Sequence, residues 1–589
     1  MRIALAQIRP KKGDYAANIH AVGAVLAQTA AWPEPAGLVV FGEAVMSGYF
    51  LEGGVQEHAI SAGTLFRDLA AVHTGAKLPP VDVCVGFYER FQARVFNSAL
   101  YATLGGPEAG IRHVHRKVFL PTYGLFDEER FVDAGRAVQA FDTAWGRVAM
   151  LVCEDAWHSV CGSLAALDGA GLILVPSASP ARGAATAGQS DNVTSWDRLT
   201  QRMAEEHGVY VALVQLAGSE GGKQFQGCSS LVGPDGAVIV RAPAFDEAVV
   251  HGELQEAALR RARAEQPLLA DLEVVWDGLV SRATSNVQRA TGDEADGKTL
   301  AIKPVIRATI PETRAEVTGD PLAVNAALLE GWLVRFLRDE LTARGFAKGV
   351  VGVSGGADSA VTLMLAARAL GAENVVAVHL PYATSSQGSR QHAALAAKAA
   401  GVTLETIDMS AAVDALVAAV DPKVSPHRRG NIMARMRMIT LFDLAAQHHA
   451  LPLGTGNKSE RLLGYFTWHG DDAPPLNPIG DLYKTQVLAL ARHLGVPDAI
   501  VAKPATADLV LGQTDESDLG ITYARADLIL HWLLAGFAPS EIEALGFAPA
   551  EVTVVRKRLD STHWKRRLPT VAMVSRSTIG ESWLRPVDY

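Results

Sequence analysis

The chain has 589 residues, of which 49% are hydrophobic, so it is long and apolar enough to build more than one core. Its net charge of −9 excludes the broad basic face on which nucleic-acid binding depends, so we expect small-molecule partners and no nucleic acid. The four cysteines form no C-x-x-C pair, which favours a reducing compartment, and no signal peptide or long uncharged apolar run is found. We therefore expect a cytoplasmic protein with no membrane partner.

Residues 1–253 alternate short apolar stretches with helical ones. The predicted strands are 38–41, 81–86, 148–153, 172–176 and 210–215, and residues 18–31 are a predicted helix. Such alternation is typical of an α/β domain.

Three residues of this domain have side chains suited to nucleophilic catalysis, and each comes at a strand end. Glu43 follows the first predicted strand, Cys153 ends the third, and Lys117 stands shortly before a Leu-Pro pair. An ionised thiol is a strong nucleophile, a carboxylate can take its proton, and an ammonium can stabilise an oxyanion. This is amidase chemistry. Taken singly, Cys153 is also explained as a small buried hydrophobe, and the other two as surface charges.

The segments around these residues resemble the nitrilase, or carbon-nitrogen hydrolase, superfamily over about residues 1–250. They read Phe41-Gly42-Glu43, Arg116-Lys117-Val118-Phe119-Leu120-Pro121-Thr122-Tyr123-Gly124-Leu125-Phe126-Asp127-Glu128 and Leu151-Val152-Cys153-Glu154-Asp155. The resemblance implies an α-β-β-α sandwich with glutaminase activity, like the domain that is fused to NAD synthetases. It implies that Glu43 is the general base, Lys117 the oxyanion stabiliser and Cys153 the nucleophile.

The same resemblance gives further residues by position. The implied glutamine-binding residues are Tyr123, Glu154 and Ser179. Glu128 is the implied auxiliary acid. Arg182, at a shorter spacing than the family usually has, is a candidate contact for the carboxylate of the substrate.

Residues 254–320 lose the strand pattern and become charged, Ala-rich and Pro-interrupted, so we place the connection between two domains here. Residues 321–589 then form a second α/β domain. An amphipathic segment at 323–344 comes before predicted strands at 349–353, 375–380 and 451–454. A parallel, Rossmann-like sheet is expected.

The six residues Ser354-Gly355-Gly356-Ala357-Asp358-Ser359 join a predicted strand to a predicted helix. Glycines at such a turn let backbone N–H groups approach a ligand, and the helix adds its positive end, so we expect a polyphosphate there. The kinase-type loop needs G-x-x-x-x-G-K-[ST], and its lysine is missing here. Alone, the stretch is also explained as an ordinary Gly-rich turn. It resembles the signature of ATP pyrophosphatases, which implies that Asp358 holds Mg²⁺.

Four more blocks follow along the second domain. They are Gly454-Thr455-Gly456-Asn457-Lys458-Ser459-Glu460, Asn477-Pro478-Ile479-Gly480-Asp481-Leu482-Tyr483-Lys484-Thr485-Gln486-Val487, Lys503-Pro504-Ala505-Thr506-Ala507-Asp508-Leu509 and Gly512-Gln513-Thr514-Asp515-Glu516. In this order they resemble the NAD synthetase family, over most of residues 321–569. The first block is alternatively explained as a helix cap.

The resemblance implies a binding role for several residues. The implied ATP-binding residues are Ser354, Gly355, Gly356, Ala357, Asp358, Ser359, Thr455, Lys484 and Thr506. Asp358 and Glu460 are the implied ligands of Mg²⁺, and Arg435 and Lys565 the implied contacts of deamido-NAD. Lys484 is alternatively a solvated helix residue, and Lys565 part of a basic surface run.

The chain departs from the family pattern at two places. Gly430 and Met433 stand where the family usually has polar residues, so two polar contacts to the substrate are expected to be missing. The segment Leu380-Pro381-Tyr382-Ala383-Thr384-Ser385-Ser386 also differs, at a place that concerns recognition of adenine or ribose.

Together the two resemblances imply a glutamine-dependent NAD synthetase, a ligase that converts glutamine, ATP and deamido-NAD into glutamate, AMP, pyrophosphate and NAD. They also imply a homo-oligomer. One alternative is an amidotransferase that acts on another carboxylate, for which the changes at Gly430 and Met433 are the best support. Another is a sensor or scaffold whose first domain only binds ligands, which the complete set of Glu43, Lys117 and Cys153 disfavours.

Overall fold

The computed structural model describes residues 1–51, 54–183, 190–292, 320–506 and 514–566. The described residues up to 292 lie in one compact unit, and those from 320 to 566 lie in a second. Among them, no helix combines the length and the hydropathy that crossing a bilayer would need. The domain boundaries at 253 and 321, like the cytoplasmic location, stay predictions.

The first unit contains two large sheets and flanking helices. Its strands are β1 (Arg2–Gln7), β2 (Leu38–Phe41), β3 (Val81–Phe91), β4 (Arg94–Leu104), β5 (Gly110–Arg116), β6 (Ala140–Thr143), β7 (Gly146–Met150), β8 (Leu172–Ser177), β9 (Tyr210–Gln215), β10 (Ala217–Glu220), β11 (Lys223–Gln226), β12 (Ser230–Val232), β13 (Val238–Arg241) and β14 (Ala248–Glu253). Its helices are α1 (Tyr15–Ala30), α2 (Val55–His58), α3 (Ala62–Gly75), α4 (Ser159–Leu167), α5 (Asp191–His207), α6 (Glu256–Glu265) and α7 (Leu268–Gly292). Short 3₁₀ helices span Glu128–Arg130 and Cys153–Trp157.

The two large sheets pack face to face. Their strand orders are β14-β1-β2-β3-β4-β5 and β13-β12-β9-β8-β7-β6, and β10 and β11 form a separate hairpin. Side chains alternate along β1: Ile3 and Leu5 belong to a hydrophobic cluster with residues of β7, β8 and β9, whereas Ala4 and Ala6 pack with α1 and α3. Helices α4 and α5 cover the outer face of the second sheet. These layers confirm the predicted α-β-β-α sandwich.

The predicted strand 148–153 is too long at its C-terminal end. Strand β7 stops at Met150, and Cys153 begins a 3₁₀ helix. The cause is local, because the Asp155 carboxylate accepts a hydrogen bond of 3.1 Å from the Val152 N–H and so ties the chain into a turn. The Cys153 thiol therefore lies beyond the C-terminal end of β7.

The second unit is built on a small parallel sheet. Its strands are β15 (Gly349–Gly352), β16 (Val375–His379), β17 (Leu404–Thr406) and β18 (Leu451–Leu453). Its helices are α8 (Ala326–Ala343), α9 (Ala357–Leu370), α10 (Gln387–Ala400), α11 (Ser410–Val420), α12 (Pro426–His448), α13 (Lys458–Leu463), α14 (Lys484–Leu494), α15 (Asp498–Val501), α16 (Asp515–Leu519), α17 (Tyr523–Leu534), α18 (Pro539–Ala544) and α19 (Pro549–Ser561). Short 3₁₀ helices span Ala372–Asn374 and His563–Arg566.

Helices cover both faces of this sheet, as the predicted Rossmann-like architecture requires. Val351 and Ala377 share a hydrophobic cluster with α8, α9 and α14, while Val350 and Val378 pack with α11 and α12. The strand order is β17-β16-β15-β18, with every pairing parallel. The chain runs outward from β15 to β17 and then crosses back to β18, so the direction of winding reverses between β15 and β18. Ligands of open α/β sheets bind at such a switch point, beyond the carboxyl ends of the strands.

Candidate functional sites

A buried lysine links two buried carboxylates in the first unit. The Lys117 Nζ donates hydrogen bonds of 2.8 Å to Glu43 Oε1 and 2.7 Å to Glu128 Oε1. The Lys117 and Glu43 side chains are fully buried, and 8% of the Glu128 side chain is exposed. Because Glu43 follows β2 and Lys117 follows β5, the sheet brings together residues that are 74 positions apart in the sequence. The alternative that these two residues are surface charges is therefore wrong.

Further contacts fix the two carboxylates. Glu43 accepts 2.8 Å from Asn97 Nδ2 and 2.9 Å from the Ala178 N–H. The Tyr49 hydroxyl donates to Glu128 Oε1. Gly86 lets β3 approach the Glu43 backbone, because a Cβ there would lie 2.7 Å from the Glu43 Cα. Each carboxylate is thus held in one orientation.

Cys153 lies beside this group in an unusual backbone conformation. Its φ is +46°, a left-handed value that is uncommon outside glycine and is often found at functional sites. The Ser177 hydroxyl donates to its sulfur at 3.3 Å. Ser177 is the residue before Ala178, whose N–H binds Glu43, so the end of β8 contacts both the thiol and the carboxylate.

Asp155 joins the Cys153 turn to the Lys117 segment. Besides the Val152 N–H, its carboxylate accepts 2.9 Å from each of the N–H groups of Val118 and Phe119. His115 Nε2 lies 2.8 Å from its other oxygen. Asp155 is fully buried, and its hydrogen bonds hold the Cys153 turn and the residues after Lys117 together.

Burial dominates the protonation of this site. It raises the pKa of the Cys153 thiol well above its usual value, and the Glu43 charge raises it further. Burial also raises the pKa of Glu128, against the lowering effect of Lys117. Burial alone would lower the pKa of Lys117, but the Glu128 and Glu43 carboxylates raise it well above the usual value. The site therefore contains a neutral thiol and a firmly charged ammonium.

The residues predicted to bind glutamine lie around the Cys153 segment. The Tyr123 hydroxyl, which is on an exposed side chain, donates to Glu154 at 3.0 Å. Ser179 donates its N–H to Gln215 at 3.1 Å and accepts 3.2 Å from Asn192 Nδ2.

Arg182 stacks over the Phe126 ring at 5.0 Å. Its Nη2 is buried and has no hydrogen-bond partner among the described residues. An unpaired guanidinium nitrogen suits a carboxylate ligand.

The second unit contains a cavity of about 750 Å³ beyond the carboxyl ends of β15 and β18. It is lined by most of the residues predicted to bind ATP and metal, namely Ser354, Gly356, Ala357, Asp358, Ser359, Thr455, Glu460, Lys484 and Thr506. Among the described residues, Gly355, Arg435 and Lys565 belong to the predicted set but do not line it.

The predicted phosphate loop has the geometry that its sequence requires. Gly355 has a φ of +82°, and a Cβ there would lie 2.3 Å from the carbonyl oxygen of Ser389, so only glycine fits. The hydroxyls of Ser354 and Ser359 lie 3.0 Å apart, and the Ser354 N–H donates to Ser359 at 3.2 Å. Gly356 is the N-cap of α9, so the free N–H groups and the positive end of this helix lie at the loop.

Lys484 is held between two carboxylates at the floor of this cavity. Its Nζ donates to Asp358 and lies 3.6 Å from Glu460 Oε1. Only 6% of the Lys484 side chain is exposed, so it is not a solvated helix residue. Asn457 donates 3.0 Å to Asp358 and also caps α13, where Glu460 completes a capping box. The helix-cap explanation of this block is therefore correct, and the block faces the cavity as well.

Burial raises the pKa of Glu460 to about 8, and the Asp358 charge adds to this against the effect of Lys484. Asp358 and Glu460 supply the hard oxygen donors that Mg²⁺ prefers. Among the described residues, no three His, Cys, Asp or Glu side chains form a metal-binding group. Two carboxylates completed by phosphate oxygens are a usual Mg²⁺ arrangement, so this pair fits the ion.

The two predicted deamido-NAD contacts instead bind backbone carbonyls. Arg435 donates 3.1 Å to the Trp468 carbonyl. Lys565 donates 2.9 Å to each of the carbonyls of Gly464 and Phe466. Their role in substrate binding stays a prediction.

The substitutions at Gly430 and Met433 lie inside α12. Met433 is buried in the hydrophobic cluster that covers one face of the parallel sheet, and Gly430 is also buried. That two polar contacts to the substrate are missing at these positions stays a prediction.

Sequence reasoning missed the residues that hold the motif residues in place. Asn97 contacts Glu43 and Tyr49 contacts Glu128. Asp155 binds the backbone beside Lys117, and Asn457 contacts Asp358. Asp155 and Asn457 lie inside the motif blocks and could have been predicted from them. Asn97 and Tyr49 lie in no motif, so the sequence around them does not indicate their role.

Comparison with known proteins gives two family matches. Residues 331–569 match the family model for NAD synthase, and residues 2–264 match that for carbon-nitrogen hydrolase. An NH₃-dependent NAD⁺ synthetase of Trichlorobacter lovleyi is 47% identical over 269 residues, which are 46% of this chain and 98% of the relative. The corresponding enzyme of Chlorobaculum parvum is 46% identical over 260 residues, which are 44% of this chain and 94% of the relative.

Among solved structures, the glutamine-dependent NAD⁺ synthetase of Acinetobacter baumannii, in complex with ADP, is similar over the whole chain. The TM-score is 0.71 at 23% identity, and the match covers 100% of this chain and 98% of that one. This likeness shows that the two chains share a fold.

Proposed function

The chain belongs to the NAD synthase family, and from this membership we propose that it amidates deamido-NAD with ammonia that its first unit releases from glutamine. The observation that carries the proposal is the buried Glu43, Lys117 and Cys153 group in a chain whose second half is an NAD synthase region. The NH₃-dependent relatives cover only that second half. An amidase in the same chain gives the synthetase its own source of ammonia, which in neutral water is mostly the unreactive ammonium ion.

In the first unit, we propose that Glu43 takes the proton of Cys153 as the sulfur attacks the amide carbon of glutamine. The Lys117 ammonium then stabilises the oxyanion of the tetrahedral intermediate. Collapse of the intermediate breaks the C–N bond, the amide nitrogen takes a proton, and ammonia leaves a thioester. Water activated by Glu43 hydrolyses the thioester to glutamate and restores the thiol.

The remaining predicted residues orient glutamine in this proposal. Tyr123, Glu154 and Ser179 bind its polar groups, and the unpaired Arg182 nitrogen suits its α-carboxylate. Glu128 holds Lys117 in place and keeps its charge.

In the second unit, the carboxylate oxygen of deamido-NAD attacks the α-phosphorus of ATP. The bond to the bridging oxygen breaks, and pyrophosphate leaves with the electron pair. Ammonia then attacks the acyl-adenylate carbonyl and loses a proton, and AMP departs. Catalysis here consists of positioning and charge neutralisation, for which the loop Ser354 to Ser359 with Thr455, Lys484 and Thr506 is suited.

Asp358 and Glu460 would hold Mg²⁺, which supplies positive charge to the phosphates when bound. Arg435 and Lys565 are proposed contacts of deamido-NAD. We further propose that the protein is a cytoplasmic homo-oligomer, which sedimentation of the purified protein tests.

The experiment measures NAD formation from deamido-NAD, ATP and Mg²⁺, with glutamine or ammonium as the nitrogen source. Cys153→Ala is expected to abolish synthesis from glutamine and to preserve synthesis from ammonium, whereas Asp358→Ala abolishes both. Cys161→Ala is the matched control, because Cys161 is also a buried thiol and lies in α4 rather than in the Cys153 turn. Glutamine-driven synthesis by the Cys153→Ala variant would disprove the nucleophile assignment.

A second candidate substrate is another carboxylic acid, and the burial of Met433 in an apolar cluster favours it, because a family contact to the substrate is lost there. AMP release with deamido-NAD replaced by other acids separates the two. Faster AMP release with another acid would favour that acid as the substrate.

A further inference from the structure

The cavity of the second unit must neutralise a polyphosphate, but its most deeply buried cation is already paired. Lys484 contacts both Asp358 and Glu460, and the Asp358 carboxylate already offsets its charge. Binding the phosphates of ATP therefore requires positive charge from another part of the cavity wall. None of the roles given above supplies it from a side chain.

Lys503 is a cation of this cavity with no assigned role. It lines the cavity, and its Nζ donates 3.0 Å to the Ser389 hydroxyl. Within the described part of the chain, no carboxylate lies within ion-pair distance of it. A hydroxyl neutralises none of the ammonium charge, so Lys503 keeps its full attraction for an anion.

Ser389 places this lysine against the phosphate loop. A Cβ built on Gly355 would lie 2.3 Å from the carbonyl oxygen of Ser389 and 3.1 Å from the backbone nitrogen of Ala393. The beginning of α10 therefore packs directly on the second residue of the loop, and the Ser389 side chain, which is 1% exposed, is fixed there. Both Ser389 and Lys503 line the same cavity as Ser354, Gly356 and Ser359.

The neighbouring His392 does not compete for this anion. Its Nδ1 is buried and has no hydrogen-bond partner among the described residues. Burial, and then the Lys503 charge, lowers the pKa of this imidazole, so it is neutral at physiological pH. Lys503 is the charged member of the group.

We propose that Lys503, positioned by Ser389, binds the terminal phosphates of ATP and holds pyrophosphate as it leaves. The inference rests on the proposed function for its place in the reaction. When the nicotinate oxygen forms its bond to the α-phosphorus, the bond to the bridging oxygen breaks and pyrophosphate takes the electron pair. Pyrophosphate carries more negative charge than AMP, so a cation without a carboxylate partner favours it over AMP.

The test measures binding of inorganic pyrophosphate, and separately of AMP, to the full-length protein with Mg²⁺ by titration calorimetry. Lys503→Met is expected to weaken pyrophosphate binding by about 10-fold to 100-fold, which is the effect of one charge-assisted hydrogen bond, and to leave AMP binding unchanged. Lys503→Arg restores most of the affinity because it keeps the charge. Ser389→Ala, which removes only the positioning hydroxyl, weakens pyrophosphate binding by a few-fold.

Lys398→Met is the matched control, because Lys398 is exposed in the last turn of α10, the helix that carries Ser389. Equal pyrophosphate affinity in the Lys503→Met and wild-type proteins, with AMP binding intact, would overturn the inference, as would a wild-type protein that does not bind pyrophosphate. Lys503-dependent binding in a protein that makes no NAD would support this anion site and disprove the proposed function. The two failures are thus distinguishable.

Discussion

Replacing Lys117 with methionine tests the reasoning about the amidase group most directly. The substitution keeps the length of the side chain and removes the ammonium between Glu43 and Glu128. Both carboxylates are buried, so the folded variant must either keep two uncompensated charges or bind a proton. Removing one partner of a buried ion pair in this way costs about 3–5 kcal/mol of unfolding free energy.

The loss of stability in the Lys117→Met variant is expected to depend on pH, because a buried carboxylate that binds a proton no longer carries an uncompensated charge. A carboxyl group with an ordinary pKa takes up a proton at a cost of about 5 kcal/mol near pH 8, but of only about 1.6 kcal/mol near pH 5.5. Burial, opposed by Lys117, already raises the pKa of Glu128 in the wild-type protein, and loss of the ammonium raises it further. An acid whose pKa is raised by folding destabilises the fold above its ordinary pKa; this effect shrinks as the pH falls below the raised pKa and is gone only below the ordinary pKa.

The assay is urea unfolding of the full-length protein near both pH values, about 8 and about 5.5, with hydrogen exchange of residues 38–51 and 110–131 as the local readout. Lys11→Met is the control, since Lys11 forms an exposed ion pair with Asp14. Glutamine hydrolysis by Lys117→Met should fall by about 10²–10³-fold, as for the loss of an oxyanion donor. A stability loss equal at both pH values, or absent near the higher one, would refute the charge argument.

Three further substitutions test single contacts. Tyr49→Phe removes the hydroxyl that donates to Glu128 and should slow glutamine hydrolysis by about tenfold without affecting synthesis from ammonium; equal losses with both nitrogen sources would contradict this. Gly355→Ala places a Cβ 2.3 Å from the Ser389 carbonyl oxygen at a φ of +82°, and calorimetry should show weakened ATP binding together with a lower unfolding temperature. Wild-type ATP affinity in that variant would show that the loop does not need this conformation. Met433→Gln buries an amide in an apolar cluster and should lower the unfolding free energy by about 1–3 kcal/mol in urea titrations, whereas tighter deamido-NAD binding would instead indicate that this side chain faces the substrate.

Some of the strands that are buried on both faces could be predicted with their observed bounds. Strands β2 and β9 match the predicted bounds, because continuous runs of apolar residues leave no other interpretation. Strand β5 was not predicted, since its sequence Gly-Ile-Arg-His-Val-His-Arg is polar and it forms only through antiparallel pairing with β4 at the sheet edge. Pairing between strands is tertiary information and leaves no local periodicity.

The motif residues could likewise be predicted from local sequence, whereas the residues that hold them in place could not. Glu43, Lys117 and Cys153 were identifiable because amidase chemistry requires those groups within short recognisable segments. Tyr49 and Asn97 were not, because the partner of each is distant in the sequence, 79 positions for Tyr49 to Glu128 and 54 for Asn97 to Glu43. Lys503 has a recognisable sequence block, but only its contact with Ser389, 114 positions away, reveals a side chain placed at the phosphate loop.

Each unit contains a buried lysine between two carboxylates, but the charges of this arrangement have a different consequence in each unit. At Lys117, burial and then the Glu43 charge raise the pKa of the Cys153 thiol, so in our proposal a neighbouring carboxylate takes its proton. At Lys484 the ammonium charge is already offset by Asp358, so in our proposal a polyphosphate ligand uses the charge of a second lysine nearby. In this proposal Lys484 does not replace Lys503, because its ammonium is already paired with a carboxylate.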